Sequence, residues 1–240
     1  MIKYKLSKRL DMLANLSFPS MKLADIGTDH GYLPLHLLEK GHIEHCILCD
    51  INIGPLENAK RSFREADFTN QTEFRLGSGI EPLEPAEVDT VVIAGMGGGL
   101  IIDILSHDLQ KSLSFEKLLL QPMTEQSVLR QWLLDQGFRI KSDHYVHESS
   151  KYYEIIEISN SDDDSIIDIH AHSADLEFGY RISRDNASEY IKFLLYRRHK
   201  YETIIKQLVN SASQTSKHDA CVNKLITIES ILQRLKEEDL

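Results

Sequence analysis

Asp25-Ile26-Gly27-Thr28-Asp29-His30-Gly31 decides the reading of this chain. It follows a short apolar stretch, Met21 to Ala24, and leads into the helix-like run Tyr32-Leu33-Pro34-Leu35-His36-Leu37-Leu38. A strand, a glycine turn and a helix start, in that order, form a cradle for a nucleotide-containing ligand. Glycine lets the backbone approach closely, and the first N–H groups of a helix have no partner of their own. One such loop is a weak signal, so the rest of the chain has to agree with it.

Outward from this loop, strands and helices alternate. The pattern predicts strand 21–26, helix 31–40, strand 45–50, helix 54–66 entered through Gly54-Pro55, and a short strand 72–76 ending at Gly77-Ser78-Gly79. Val88 to Ala94 reads as a strand buried on both faces. Gly95-Met96-Gly97-Gly98-Gly99 follows it, then helix 100–110, strand 115–120 and helix 124–136. Such alternation implies a parallel, doubly wound α/β sheet. Phe138 to His147 and Tyr152 to Ser159 are strand-like and joined only by Glu148-Ser149-Ser150-Lys151, so they must pair antiparallel. A reversed hairpin closing a parallel sheet is the methyltransferase variant of the Rossmann plan, with seven strands. A nicotinamide dehydrogenase would more often continue with βα units.

Both ends add helices. Residues 4–18 read as an amphipathic helix with Leu6, Leu10 and Leu13 on one side and Ser7 as its cap. Asp162-Asp163-Asp164 marks a linker, which divides the chain into a domain over 1–160 and a helical part over 161–240. In the latter, Ile191, Leu194, Tyr201, Ile205 and Leu208 keep a 3–4 spacing, as do Cys221, Leu225, Ile228, Leu232 and Leu235. With the polar turn Asn210 to Ser216 between them, the two helices predict an antiparallel coiled-coil hairpin over 187–238.

The composition of these 240 residues is that of a soluble globular protein. No apolar run approaches the ~20 residues needed to cross a bilayer. The start Met-Ile-Lys-Tyr-Lys is too polar for a signal peptide, so a cytoplasmic location is expected. Cys46, Cys49 and Cys221 are too few for a disulfide framework. Cys46-Ile47-Leu48-Cys49 has metal or redox spacing but lies inside a strand with no second ligand pair, so these are expected to be core thiols and no metal is expected. A net charge of −10 argues against non-specific coating of nucleic acid, although local patches matter more than the total. Lys3, Lys5, Lys8 and Arg9 form one such patch, with a solvated helix end as the bland alternative. Lys192, Arg197, Lys200 and Lys206 form a second, expected to face outward, with only Arg198 turned into the seam.

The chemistry sits at strand ends. S-adenosylmethionine enzymes commonly carry Asp-x-Gly-x-Gly-x-Gly in the first loop, and here Asp29 takes the place of the middle glycine. A carboxylate suits the cationic end of that cofactor and would repel a pyrophosphate. Asp29 is read either as touching the ligand or as capping the helix that starts near His30. Asp25 orients the loop or receives the cofactor's amino group. Asp50 ends the second strand, where an acid either accepts hydrogen bonds from both ribose hydroxyls or caps the next helix, and Ile51 follows it. Gly77-Ser78-Gly79 falls where an adenine amino group would be met, with Ser78 a weaker acceptor than an aspartate. Gly95-Met96-Gly97 offers backbone donors and room for a flat ring. Gln121-Pro122 faces the same carboxyl edge. The candidate catalytic residues are therefore Asp29, His30, Gln121 and Pro122. Asp25, Gly27, Thr28, Gly31, Asp50, Ile51, Gly77, Ser78, Gly79, Gly95, Met96 and Gly97 join Asp29 and His30 as candidates to hold the cofactor.

Ser7-Lys8-Arg9-Leu10, the string Asp25 to Pro34, Asp50-Ile51 with Gly54-Pro55-Leu56, Ala94-Gly95-Met96-Gly97-Gly98 and Leu120-Gln121-Pro122 together resemble the bacterial tRNA (adenine-22, N1) methyltransferases. The resemblance runs through residues 1–160. It implies S-adenosylmethionine as cofactor, N1 of adenine 22 in tRNA as the acceptor and a coiled-coil tail. The basic patches give Lys3, Lys5, Lys8, Arg9, Arg197 and Lys200 as the expected tRNA contacts, with dimerisation as the alternative role of the coiled coil, and the oligomeric state is left open between a monomer and a weak dimer. Composition and spacing alone stop at methyltransferase. A small-molecule enzyme, or a silent S-adenosylmethionine-binding module with a partner-binding tail, are the alternatives.

Overall fold

The computed structural model describes residues 5–159, 166–168, 176–208 and 215–237. Lys3, the Asp162-Asp163-Asp164 linker and residues 209–214 of the expected polar turn lie outside them. The first helix, α1 (Lys8–Ser17), starts where the sequence places its cap: the Ser7 Oγ accepts from the Leu10 N–H at 3.3 Å. Then come β1 (Lys22–Ile26), α2 (Tyr32–Glu39), β2 (His45–Asp50), α3 (Ile53–Glu65), β3 (Thr72–Leu76), β4 (Thr90–Gly97) and α4 (Gly98–His107). The rest comprises α5 (Leu109–Ser114), β5 (Lys117–Thr124), α6 (Gln126–Asp135), β6 (Ile140–Glu148), β7 (Lys151–Ser159), β8 (Ile166–Asp168), β9 (Arg181–Ser183), α7 (Ala187–Leu208) and α8 (Thr215–Glu237). The helix expected over 100–110 is two, because Asp108 breaks it and caps α5 through the Lys111 N–H at 3.0 Å.

One sheet orders its strands β3-β2-β1-β4-β5-β7-β6-β9-β8. The first five are parallel, and β7 runs antiparallel to both β5 and β6, as the terminal hairpin required. The expected seven strands become nine among the described residues. After the linker the chain returns to cover the open edge of β6, with Ile182 opposite Asp143, and an uncovered edge is a pairing hazard. Strands of three residues leave no periodicity in the sequence. The sheet therefore continues past residue 160. Two other strands are longer than expected: β4 runs on through Gly95-Met96-Gly97 with register shifts, and β5 reaches Thr124, so Gln121-Pro122 lies within it.

Successive residues along the central strands point to opposite layers, which is why those strands read as continuous apolar runs. Ala24, Ile47, Cys49, Val91, Ile93, Leu118 and Leu120 pack against Ile101 and Leu105 of α4 and Leu129 and Leu133 of α6. Leu23, Cys46, Leu48, Val92 and Leu119 pack against Leu13, Leu35, Leu56 and Phe63 from α1 to α3. Burial pushes the Cys46 and Cys49 thiols up to about 12, so both are core residues, as expected.

A third cluster joins the helical hairpin to the sheet. Tyr145, Phe178 and Ile182 meet Tyr190, Phe193, Leu194 and Tyr201 of α7 and Cys221, Ile228, Leu232 and Leu235 of α8. The hairpin is thus docked on β6 rather than projecting freely. Arg130 of α6 reinforces the junction from within. It is wholly buried, donating to Asp143 at 2.8 Å, Glu154 at 2.6 Å and the Leu176 carbonyl at 2.9 Å. The second Asp143 oxygen accepts from the Tyr180 N–H at 2.7 Å.

Candidate active site at the carboxyl edge of the sheet

The loop after β1 turns on two glycines that no other residue could replace without strain. Gly27 has φ +74°, and a Cβ there would stand 2.1 Å from the Met96 Cε. Gly31 has φ +65° at the start of α2, and its Cβ would stand 2.7 Å from both Leu48 and Phe63. A cleft of about 240 Å³ opens here, lined by Arg9, Asp25, Asp29, His30, Tyr32 and Ala94 among others. A larger cavity, about 370 Å³, lies at the other end of the strands beside Thr90 and Lys117. Two of its carboxylates are already engaged: Asp89 accepts two backbone N–H groups, and Glu157 pairs with His144 and Lys141. The smaller cleft holds the groups with chemistry to do, so the site is placed there.

Asp25 lies at its floor. Burial pushes its carboxyl up to about 6; the Thr28 hydroxyl beside it works the other way, and the charge of Asp50 adds a little. A carboxylate this reluctant to ionise wants a cation. Asp50 ends β2 half-buried, one oxygen taken by the Asn52 N–H at 2.7 Å. Around it Ile51, Ile53 and Leu76 stand about two-thirds exposed (66%, 65% and 60%), an apolar edge onto which a flat ring can lie. Gly77 and Gly79 crowd Pro82 and Ile104, and the Ser78 N–H donates to Glu81 at 3.3 Å.

The capping reading of Asp29 is not what the fold uses. Helix α2 begins after Gly31 with no side-chain cap, and the Asp29 carboxylate is 78% exposed, 3.4 Å from His30. His30 stacks on Tyr32 at 5.1 Å between ring centroids. Both candidate catalytic groups of the loop therefore line the cleft, partnered by each other and by Tyr32.

Gly95, at φ +80°, bends the end of β4 and donates its N–H to the Gln121 Oε1 at 3.1 Å. The Arg9 guanidinium donates to the same oxygen and lies over the Tyr153 ring, 5.5 Å from its centroid. Arg9, read from sequence as part of an outer basic face, is thus a wall of the cleft. Gln121, read as facing the ligand, is fully buried, and its Nε2 donates to the Pro122 carbonyl at 3.1 Å. Pro122 is buried as well. Lys5 and Lys8 are exposed, and the Lys8 N–H anchors α1 to Glu148 at 2.9 Å.

The outward reading of Arg197 is corrected. It pairs with the half-buried Glu177 and stacks over Phe178, Phe193 and Tyr201, because aromatic faces and a partly shielded carboxylate satisfy a guanidinium better than water-exposed isolation. Arg198, expected in the seam, instead bridges to Glu229 at 3.1 Å on the surface, while Lys200 remains exposed. Sequence reading assigned no role to Tyr32, which lines the cleft, or to Tyr153, which the fold brings under the Arg9 guanidinium. No described helix is long and apolar enough to cross a membrane.

Comparison with known proteins agrees with this geometry. A family model described as a methyltransferase domain matches residues 6–156. The tRNA (adenine(22)-N(1))-methyltransferase of Bacillus subtilis is 29% identical over 237 residues, covering 99% of this chain and 98% of that protein. A candidate tRNA (m1A22) methyltransferase of Streptococcus pneumoniae, solved with S-adenosyl-L-methionine, is 30% identical, with a TM-score of 0.75 and 95% and 100% of the two chains covered. TrmK of M. capricolum, solved with S-adenosyl-homocysteine, is 29% identical, with a TM-score of 0.76 over 96% and 99% of the chains. This chain belongs to the methyltransferase-domain family and, within it, to the tRNA (adenine(22)-N(1))-methyltransferases.

Proposed function

We infer that this chain transfers the methyl group of S-adenosylmethionine to N1 of adenine 22 in tRNA. The observation that carries the reading is the cleft at the carboxyl edge, lined by Asp25 at the end of β1 and by Arg9, Asp29 and His30, with Asp50 at the end of β2 near enough for its charge to act on Asp25, in a chain related over its whole length to an enzyme of that activity. The cleft fits the cofactor on its own evidence. Gly27 and Gly31 line the cleft with bare backbone, held there by positive φ and by Met96, Leu48 and Phe63, which leave no space for a Cβ, and Asp25 is held ready for a cation.

Bound there, the cofactor supplies a methyl group already activated on a sulfonium. The residues have the remaining task of placement. Asp50 accepts the ribose hydroxyls, Asp25 receives the amino group, and Ile51 with Gly77, Ser78 and Gly79 borders the adenine. Asp29 and His30 stand toward the reacting end, and Gly95, Met96 and Gly97 shape the acceptor slot. Adenine N1 attacks with its own in-plane lone pair, so alignment supplies most of the acceleration and no strong base is required. N1 is also the pairing edge, so the base must leave its stack to enter.

Incubation with labelled cofactor and two tRNA transcripts, one with adenine 22 and one with guanine there, tests the assignment. Label is expected only in the first, as N1-methyladenosine; equal labelling of both would overturn it. In the same assay Asp50→Ala should bind cofactor at least tenfold more weakly with an unchanged melting temperature, since a hydrogen bond to a charged group contributes ~1.5–3 kcal/mol. Unaltered affinity by calorimetry would remove Asp50 from the ribose.

The exposed Lys5, Lys8 and Lys200, with Lys3, are assigned to tRNA phosphates. Replacing Lys5, Lys8 and Lys200 together by alanine should weaken tRNA binding and flatten its salt dependence by about 0.7–0.9 in log–log slope per lost contact. Cofactor affinity should stay constant; an unchanged salt slope would place tRNA elsewhere. Deleting everything after residue 161 is the poorer test. It would strip the Leu176 carbonyl and the Tyr180 N–H from the buried Arg130–Asp143 pair.

A further inference from the structure

We propose that Gln121 is a positioning residue for methyl transfer, acting through Arg9 and Gly95 and never touching the ligand. The inference rests on the activity assigned above. Gln121 is 0% exposed, and both ends of its amide are used. The Oε1 accepts from the Arg9 guanidinium and the Gly95 N–H, and the Nε2 donates to the Pro122 carbonyl and, at 3.6 Å, to the Met123 sulfur. Only a neutral amide offers an acceptor at one end and a donor at the other in this shape. Glutamate would set a carboxylate oxygen against the Pro122 carbonyl and neutralise Arg9. With no hydrogen-bonding capacity left for a substrate, whatever Gln121 contributes to the reaction passes through its two partners.

Those partners are the ones that matter at the acceptor end. Among the described residues Arg9 forms no ion pair; its contacts are Gln121 and the face of Tyr153, so most of its donor fork is left for an anion. Gly95 is the bend of the acceptor slot, and a Cβ there would stand 3.5 Å from the Arg9 Nη1, so cation and slot adjoin. A single oxygen therefore sets the spacing between a group that takes the phosphate of the target nucleotide and the backbone that takes its base. Holding phosphate and base at one spacing is the preorganisation that in-line transfer needs, and a misplacement of about 1 Å costs on the order of a hundredfold in rate.

The test is a double-mutant cycle on the full chain, with kcat and KM for tRNA and cofactor affinity read separately. Gln121→Leu should lower kcat by roughly 30-fold or more while cofactor affinity stays within about twofold. Arg9→Ala should lower kcat/KM, and the double variant should be no worse than the poorer single one, because both remove one device. Gln121→Glu should raise KM for tRNA and flatten the salt dependence by about one in log–log slope, the signature of one lost phosphate contact. This second variant carries the test should the leucine variant not fold. Effects that multiply in the double variant, or a Gln121→Leu protein with wild-type kcat, would overturn the proposal. A wild-type chain that leaves adenine 22 unmodified would instead overturn the assigned activity, so the two failures are distinct.

Discussion

Replacing Arg130 with alanine should lower folding stability by about 3–5 kcal/mol, the range for removing one partner of a buried ion pair. Burial opposes the charge of this guanidinium, yet Asp143 and Glu154 outweigh it and hold its pKa well above the usual arginine value. Without the cation, two carboxylates and the Leu176 carbonyl are left in the core without their donor. Urea titration should report this loss, and a loss below ~1 kcal/mol would contradict the network. Hydrogen exchange should also quicken in α7 near Tyr190, because Asp143 ties the segment entering the hairpin to the sheet.

Asp25→Asn should move two quantities in opposite directions. In the protein without ligand, the Asp25 carboxyl is raised from 3.8 to about 6. A raised folded-state value stabilises the fold fully below pH 3.8, and that contribution is lost as pH climbs through about 6. At pH 7.5 the carboxylate is thus a strain on the empty cleft, and the neutral amide, similar in shape, should melt at a higher temperature. The same substitution should weaken cofactor binding by roughly ten- to a hundredfold, the cost of a charge-assisted hydrogen bond. Wild-type affinity should fall about tenfold per pH unit below 6, as protonation removes the acceptor, while the affinity of the Asp25→Asn variant stays flat. Calorimetry at pH 5 and pH 7.5 decides it. A variant that binds normally, or one less stable without ligand, would remove Asp25 from the amino group's side of the cleft.

Much of this was legible in the residues because it depends on local chemistry. Strand and helix alternation shows in apolar spacing, the Gly27–Gly31 turn in residues that tolerate positive φ, and the reversed β6–β7 hairpin in a connection too short for a crossover. The Ser7 cap and the buried thiols of Cys46 and Cys49 were likewise visible from their neighbours. What tertiary structure alone decided involves partners far apart in the chain. Arg9 and Gln121 are separated by 112 positions, and no pattern in either segment announces that one oxygen will join them. In Gln126-Ser127-Val128-Leu129-Arg130, nothing marks the arginine as buried, and β6 and β7 supply its carboxylates only in the assembled sheet. Arg197 turned inward for the same reason, since Glu177 and three aromatic rings meet it only when the hairpin docks. Backbone preference acts over a few residues, and so the sequence by itself determined the first seven strands, the glycine loop after β1 and the acids at the strand ends, but not β8 and β9. Satisfying a buried charge requires groups from several elements at once, which only the assembled fold could choose.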